Sequence, residues 1–202
     1  DYLNRTGRAS PEIKRKAEGY VSAGYQRLLT FEVPGGGFSL FGDAPASVPL
    51  TAYGLLEFQD MAQVYPVDPA LIERTANWLL RQQRGGSWGD RATTAFVVWA
   101  LAEAGYAQSA EVQRILPALR SDLSLESDPY RLALIANALV AAHDAGAEEA
   151  IAQLARSMTT SGGTYWVAQG PSLMGSHGLT GNLESTALAI YLRDRIPELE
   201  YV

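Results

Sequence analysis

The clearest signal of the fold is Gly-Gly-Ser-Trp-Gly (85–89) with the segment that follows it, Thr-Thr-Ala-Phe-Val-Val-Trp-Ala-Leu (93–101). Two glycines and an aromatic residue form a sharp turn, because glycine accepts backbone angles that other residues avoid. The apolar segment after the turn shows no strand alternation and has the length of a helix. This stretch predicts a turn that leads into a helix buried on most of its faces.

The same phrase recurs along the chain. Gly-Gly-Gly-Phe (35–38) precedes Leu-Thr-Ala-Tyr-Gly-Leu-Leu (50–56), and Gly-Gly-Thr-Tyr-Trp (162–166) precedes Ser-Thr-Ala-Leu-Ala-Ile-Tyr-Leu (185–192). A fourth apolar segment, at 131–139, lacks the glycine turn. The shared alanines of the four segments are 43, 38 and 54 residues apart. A loose period in this range is typical of repeat proteins, here with a helical hairpin as the unit.

Helix starts are marked by a capping residue before a proline at Ser10-Pro11, Asp68-Pro69 and Asp128-Pro129. Proline is tolerated at the first helical position, where its missing N–H has no helical partner. Helical spacing of apolar residues extends these starts and adds further helices. The predicted helical segments are 13–29, a segment from Leu50 onward, 71–81, 94–104, 112–119 with an interruption at Pro117, 132–142, 148–158 and 185–192.

Amphipathic helices alternate with nearly all-apolar ones. The apolar helices can form an inner ring and the amphipathic ones an outer ring, which predicts an all-α fold, an α/α toroid of helical hairpins of the terpenoid-cyclase-like kind. An open superhelix is the competing arrangement, and its helices are usually more evenly amphipathic. About four hairpins are visible, whereas such toroids commonly have six. We therefore expect residues 1–202 to form one incomplete toroid domain, truncated at its N-terminus.

Charge and composition narrow the class of partner. The net charge of −6, with 16 basic and 22 acidic residues, argues against nucleic acid as a partner. No apolar run approaches the ~20 residues that cross a bilayer, so direct membrane insertion is not expected. The chain has no cysteine, which excludes disulfides, thiolate nucleophiles and cysteine metal ligands within these residues.

Candidate catalytic and metal-binding residues are sparse. His143 and His177 are 34 residues apart without the spacing of a metal site. His143 is interpreted as a residue that ends a helix, and His177 as an exposed residue of the long loop 165–182. Ser87 stands in a Gly-x-Ser-x-Gly match, but a nucleophile elbow requires a preceding strand, so 85–89 is interpreted as a turn.

Glycoside hydrolysis needs a pair of carboxylates, and the spacing of the acidic residues in this sequence does not single out such a pair. The candidates are Asp43, Glu57, Asp60, Asp90, Glu103 and Glu184. The acidic cluster of an isoprenoid cyclase is missing as well, and Asp194 stands alone between two arginines. We expect no catalytic, cofactor-binding or metal-binding residue in the chain, and no cofactor. The glycine-aromatic turns are interpreted as structural plugs between hairpins, with ligand stacking as the alternative.

The motifs resemble a known family. Gly24-Tyr25-Gln26-Arg27-Leu28-Leu29 is followed by Gly37-Phe38-Ser39-Leu40-Phe41-Gly42 and then Leu50-Thr51-Ala52-Tyr53. This order is similar to the thioester-containing domain of α2-macroglobulins and complement proteins. Residues 72–88, with Trp78-Leu79-Leu80 and Gly86-Ser87-Trp88, continue the resemblance, as does 184–188. The similarity is strong over 20–104 and looser over 105–202, and the alanine- and arginine-rich composition looks bacterial.

The resemblance implies a toroid that takes part in covalent protease trapping without being an enzyme. In the family, cleavage of a bait region exposes a Cys-Gln thioester that acylates the protease. The implied partners are proteases and other domains of the same large protein, and the implied location is the periplasm or cell envelope. The Cys-x-Glu-Gln motif is expected upstream of Asp1, because this chain has no cysteine.

Besides the missing cysteine, the chain differs from the family in a residue that is related to the kind of group with which the thioester reacts. Members that prefer hydroxyl groups carry a histidine after the corresponding glycine-aromatic turn, whereas Trp88-Gly89-Asp90-Arg91-Ala92 leads directly into Thr93. The hypothesis is that an upstream thioester reacts mainly with amines. Two other functions remain open: an enzyme on the same toroid, of the terpene-cyclase, prenyltransferase or polysaccharide-degrading kind, and a non-catalytic helical scaffold. The first of these rests on analogy of fold alone.

Overall fold

A computed structural model describes residues 10–192. Asp194 therefore lies outside the described residues. The described residues form two compact units, divided between Gln82 and Gln83. The prediction that residues 1–202 form a single toroid domain truncated at its N-terminus stays a prediction.

The first unit contains three described helices and a small β-ribbon. Their bounds are α1 Pro11–Leu29, β1 Glu32–Val33, β2 Gly37–Phe38, α2 Val48–Ala62 and α3 Pro69–Arg81. The two strands are antiparallel, with Glu32 opposite Phe38 and Val33 opposite Gly37. One cluster of the core consists of Tyr25, Phe38, Phe58 and Leu71, so α1, β2, α2 and α3 each contribute an apolar side chain to it.

The second unit contains five described helices. Their bounds are α4 Arg91–Leu101, α5 Ala110–Arg120, α6 Pro129–Ala141, α7 Ala147–Arg156 and α8 Gly178–Ile190. A π-helical turn, Ala102–Tyr106, follows α4, and a 3-10 turn, Leu123–Leu125, precedes α6. Helix α6 packs against α4, α7 and α8 and is the centre of this unit. Asn137 of α6 is buried there and donates from Nδ2 to the carbonyl of Leu188 in α8, at 3.0 Å.

The predicted alternation of helix types is visible in the burial pattern. Every residue from Thr94 to Leu101 of α4 is buried, whereas α5 and α7 bury one side only, through Val112, Leu116 and Leu119 in α5. The all-α prediction is confirmed. Within residues 10–192, none of the helices combines the length and the apolar character that crossing a bilayer requires.

Two helix predictions were wrong. Helix α5 is not interrupted at Pro117 but continues through it to Arg120, since a proline in the last turns removes one hydrogen bond while buried Leu116 and Leu119 hold the helix in place. Helix α8 begins at Gly178, seven residues before Ser185. Its first turns contain Gly178 and Gly181, and because glycine is a poor helix former, the sequence does not indicate a helix there.

Candidate functional site

The three glycine-aromatic turns share one hydrogen bond. The backbone N–H of the aromatic residue donates to the hydroxyl of the threonine in the following Thr-Ala sequence. The distances are 2.9 Å from Phe38 to Thr51, 3.2 Å from Trp88 to Thr94 and 3.1 Å from Trp166 to Thr186. The recurring phrase is therefore one structural unit, in which the turn is fastened to the helix that follows it.

The aromatic side chains of these turns are inside the protein. Phe38 and Trp88 are each 5% exposed and Trp166 is fully buried. Rings that are covered to this extent cannot stack on a ligand without a rearrangement of the turn. Their burial agrees with the interpretation of these rings as structural, and the alternative of ligand stacking is not supported.

The shared hydrogen bond predicts a stability effect at Thr51, which is fully buried and also donates to the carbonyl of Ser47 at 2.7 Å. Valine has the shape of threonine without the hydroxyl, so Thr51→Val leaves the buried N–H of Phe38 without its acceptor. We expect a loss of about 1–3 kcal/mol in the free energy of unfolding, measured by urea titration. Thr51→Ser keeps the hydroxyl and is the control. Equal stability of the two variants would contradict this role for the hydrogen bond.

The segment after the second turn is occupied by residues that stabilise the structure. Asp90 accepts a hydrogen bond from the N–H of Thr93 at 2.8 Å and caps α4. The guanidinium of Arg91 donates to the carbonyls of Leu119 and Ser121. Family members that prefer hydroxyl groups carry a histidine in the corresponding segment. In this chain the segment contains Asp90, which caps α4, and Arg91, which links α4 to the end of α5.

The Gly-x-Ser-x-Gly match is a turn, as predicted. Arg84 and Ser87 form an isolated antiparallel bridge, and the Ser87 hydroxyl donates to the Arg84 carbonyl at 3.5 Å. Helix α3 precedes this turn and α4 follows it. Since the hydroxyl faces the backbone of its own turn, the geometry is not that of a nucleophile elbow.

The structure does not present the six candidate carboxylates as a catalytic pair. Asp90 caps a helix, Glu103 accepts from the indole N–H of Trp99 at 3.3 Å, and Asp60 accepts from the side chain of Gln63 at 3.4 Å. Glu184 lies against the phenol of Tyr130. Asp43 is exposed and Glu57 is half-buried. Within residues 10–192 there is also no group of three or more histidine and acidic side chains that could hold a metal ion.

The two histidines lie at helix ends. His143 has a φ of 53°, and its N–H donates to Val140 while that of Asp144 donates to Leu139, which is the Schellman arrangement that ends α6. His177 is exposed just before α8, and its Nδ1 is 3.1 Å from the carbonyl of Gly175. Both positions agree with the interpretation of these residues as structural or exposed.

The long loop before α8 is fastened to the start of α6. The N–H of Gln169 donates to Asp128 Oδ1 at 3.2 Å, and that of Leu173 donates to the Tyr130 hydroxyl at 3.1 Å. A further hydrogen bond joins the loop to α8, from the N–H of Ala168 to Asn182 Oδ1 at 2.9 Å. Burial, together with the neighbouring Glu184, raises the pKa of Tyr130, so its hydroxyl keeps its proton. Sequence reasoning missed this anchorage, because nothing in the spacing relates the loop to α6.

Next to this anchorage lies an ion pair between Glu126 and Arg131. Arg131 donates to both carboxylate oxygens, at 2.7 and 3.0 Å, and the N–H of Asp128 adds a third bond at 3.2 Å. Burial on its own raises the pKa of Glu126, but the hydrogen bonds from Arg131 and Asp128 outweigh it and hold the pKa below the ordinary value. The charged form of Glu126 therefore stabilises the fold.

This pair predicts a pH effect. Because the pKa of Glu126 is lower in the folded state, its contribution is present above the unfolded value of about 4.3 and is lost as the pH falls through the folded pKa. Urea unfolding between about pH 3 and 7 should show a smaller loss of stability on acidification for Glu126→Gln than for the unsubstituted chain. Glu149→Gln, at an exposed position of α7, controls for the loss of a carboxylate. Parallel pH profiles for all three chains would contradict the prediction.

Comparison with known proteins shows similarity to a macroglobulin family model and to a curated relative. Residues 1–93 match the family model of the A-macroglobulin TED domain. Ovostatin from Gallus gallus is 28% identical over 213 residues, an alignment that covers 94% of this chain and 14% of ovostatin. The chain thus spans a small part of the length of this relative. The resemblance to the thioester-containing domain is confirmed, and because that domain is an α/α toroid, the predicted fold class is confirmed with it.

Proposed function

We propose that this chain, whose residues 1–93 match an A-macroglobulin TED domain, is part of a bacterial α2-macroglobulin-like protease inhibitor. That protein traps proteases covalently through a thioester located upstream of these residues. The observation that supports the proposal is the similarity to ovostatin across 94% of the chain. The absence of cysteine from the sequence makes the chain a scaffold for a reactive group that it does not itself contain.

The proposed reaction is an acyl transfer without turnover. A protease cleaves a bait region elsewhere in the protein, and the thioester becomes accessible. A lysine amine of the protease attacks the thioester carbonyl carbon, the C–S bond breaks, and the cysteine leaves as a thiolate while the amine loses a proton to solvent. The product is an amide bond between the inhibitor and the protease. Because each thioester is consumed in one reaction, the proposed activity is not that of an enzyme.

The direct experiment uses the full-length protein with trypsin. Denaturing gel electrophoresis should show a covalent adduct that contains both chains, and pretreatment with methylamine should abolish it, because methylamine consumes the thioester first. Untreated protein incubated with trypsin inactivated at its catalytic serine is the control, since the bait region then stays intact. Absence of an adduct with active trypsin would reject covalent trapping.

The residues after the second turn support a preference for amines. Asp90 and Arg91 hold α4 in place, and no histidine follows Trp88 before the helix, so this segment supplies no imidazole to assist a hydroxyl group. We predict that the adducts are mainly amides, which resist alkaline hydroxylamine, whereas esters are cleaved by it. Adduct bands should survive that treatment. Release of most of the trypsin would show ester linkage and contradict the prediction.

The proposed location is the periplasm or cell envelope of a bacterium, with envelope defence as the role. The support is the family similarity together with the composition, in which alanine and arginine are frequent and lysine is rare. Cell fractionation of the source organism with an antibody against this chain tests the proposal. Recovery of the protein in the periplasmic fraction, which is released when spheroplasts are prepared, or in the membranes supports the proposal. Recovery in the cytosol rejects it.

A further inference from the structure

One segment of the second unit is attached to it by hydrogen bonds and contributes little to its core. The segment is residues 167–177, called the strap below, and it runs from the buried Trp166 to the start of α8 at Gly178. Of the described residues 167–180, Ser172 alone is buried. A segment that buries so few apolar side chains opens at a lower cost in free energy than the core of its unit.

The tip of the strap is closed on itself. The hydroxyl of Ser172 accepts hydrogen bonds from the N–H groups of Met174 at 3.2 Å and Ser176 at 3.0 Å. The N–H of Ser172 donates to the Ser176 carbonyl at 2.8 Å. Just beyond the tip, Gly178 has a φ of 56°, which glycine adopts without strain, and the chain turns there into α8. The tip can therefore move as one body while its own hydrogen bonds stay intact.

The strap is fastened across the start of α6. The side-chain amide of Gln169 donates to the Ser127 carbonyl at 2.7 Å, and its oxygen accepts from the Ser127 hydroxyl at 3.1 Å. The backbone N–H of Gln169 donates to Asp128, and that of Leu173 donates to the Tyr130 hydroxyl. Because Tyr130 is only 4% exposed, its hydroxyl lies beneath the strap.

Asp128 combines three interactions at this place. Its Oδ1 accepts from the N–H of Tyr130 at 3.2 Å, which caps α6, and from the N–H of Gln169 at 3.2 Å. Its Oδ2 lies 3.3 Å from the guanidinium of Arg131, and its side chain is 3% exposed. A hydrogen bond to a charged acceptor is about twice as strong as one to a neutral acceptor. The charge of Asp128 therefore strengthens the bond that holds the strap.

Asp68 stands in the same sequence motif but is exposed. Asp68-Pro69 begins α3 as Asp128-Pro129 begins α6, and Asp68 Oδ1 accepts from the N–H of Ala70 at 3.0 Å. The Asp68 side chain is 57% exposed. Capping a helix before proline therefore does not require a buried carboxylate, and the burial of Asp128 follows from the strap and the other residues packed around it.

We propose that the strap opens and closes as a unit over the start of α6 while the helices of the second unit stay folded, and that the charge of Asp128 latches it closed. Opening breaks the bonds of Gln169 and Leu173 together, because the chain between them has little else to hold it. The hydroxyl of Tyr130 then comes into contact with solvent. This latch operates independently of protease trapping.

Amide hydrogen exchange of the 202-residue chain, followed by NMR at individual residues, tests the latch. Asp128→Asn removes the charge but keeps an Oδ1 that caps α6, since asparagine is as good a helix cap as aspartate. We expect the N–H groups of both Gln169 and Leu173 to exchange at least about fivefold faster in this variant, which corresponds to about 1 kcal/mol. The N–H groups in the interior of α6 should exchange as before.

Asp68→Asn is the matched control, because it makes the same change in the exposed cap of α3. It should leave the exchange of the strap unchanged. Unchanged exchange of the strap in Asp128→Asn would overturn the latch. Equal acceleration throughout α6 would overturn it as well, because the variant would then loosen the helix and not the strap alone.

Two further variants test whether the strap opens as a unit. Tyr130→Phe removes the hydroxyl that accepts from Leu173, and the N–H of Gln169 should then also exchange faster, although its own acceptor is intact. Gln169→Ala removes the two side-chain bonds to Ser127 at an exposed position, so it leaves the core unchanged, and it should accelerate exchange at Leu173. If each substitution accelerated exchange only at the residue whose own bonds it removes, the attachments would open separately and the proposal would be wrong.

Discussion

Trp166→Ala is expected to lower the free energy of unfolding by about 3–5 kcal/mol. Among residues 10–192, Trp166 is the largest fully buried side chain, and its indole N–H donates to the carbonyl of Leu154 in α7 at 2.8 Å. Alanine leaves a cavity of nearly the size of the indole next to that helix. Because a domain of this size has ~5–15 kcal/mol of stability in total, the loss is a large fraction of it. Urea unfolding followed by circular dichroism measures the effect without relying on the fluorescence of the replaced residue.

The control is Trp166→Phe, which keeps an aromatic ring and loses the indole N–H. The carbonyl of Leu154 also accepts from the N–H and hydroxyl of Ser157, at 3.1 and 2.7 Å, so it is not left without a partner. We therefore expect a smaller loss for phenylalanine, about 1–2 kcal/mol, from the reduced volume. If phenylalanine were as destabilising as alanine, the hydrogen bond and not the packing would dominate at this position.

Gly37→Ala is expected to lower the free energy of unfolding by about 3 kcal/mol. A Cβ on Gly37 would lie 2.5 Å from Cε2 and 2.8 Å from Cδ2 of Trp78, and 2.6 Å from Cβ of Ala46. An indole ring and a Cβ cannot move as the end of a flexible side chain can. The added methyl group therefore separates the β-ribbon from α3, and thermal unfolding should show a lower midpoint.

Gly19→Ala provides the matched control for Gly37→Ala. It adds the same methyl group inside α1, where nothing lies within 4 Å, and alanine is the better helix former by about 1 kcal/mol. We expect an unchanged or higher unfolding midpoint. An equal decrease for both variants would mean that glycine at position 37 is needed for a reason other than the space beside Trp78.

Helix starts were predictable to within a residue wherever a cap and a proline stand together. Ser10, Asp68 and Asp128 each accept a hydrogen bond from a backbone N–H of the first turn, and the helices begin at Pro11, Pro69 and Pro129. These interactions connect residues two or three positions apart, so the local sequence contains everything that they need. Helix α8, whose start was placed too late, has no side-chain cap at His177 and therefore no local signal.

The candidate site shows the same division. Sequence reasoning found the glycine-aromatic turns and their structural purpose, because glycine and a large ring carry that information locally. It did not find the anchorage of the loop on Asp128 and Tyr130, whose hydrogen bonds join residues 41 and 43 positions apart. It also did not foresee that Glu126 is more acidic than usual, since that depends on Arg131 and on burial.

The all-α class, the starts of the capped helices and the recurring phrase of turn and Thr-Ala helix could all be predicted from local sequence patterns. The role of the threonine in that phrase became visible only in the folded chain. The aromatic N–H reaches it across 13 residues in the first turn, 6 in the second and 20 in the third. A hydrogen bond over such variable separations leaves no fixed spacing in the sequence, because it depends on where folding places the turn beside the helix and not on the distance along the chain.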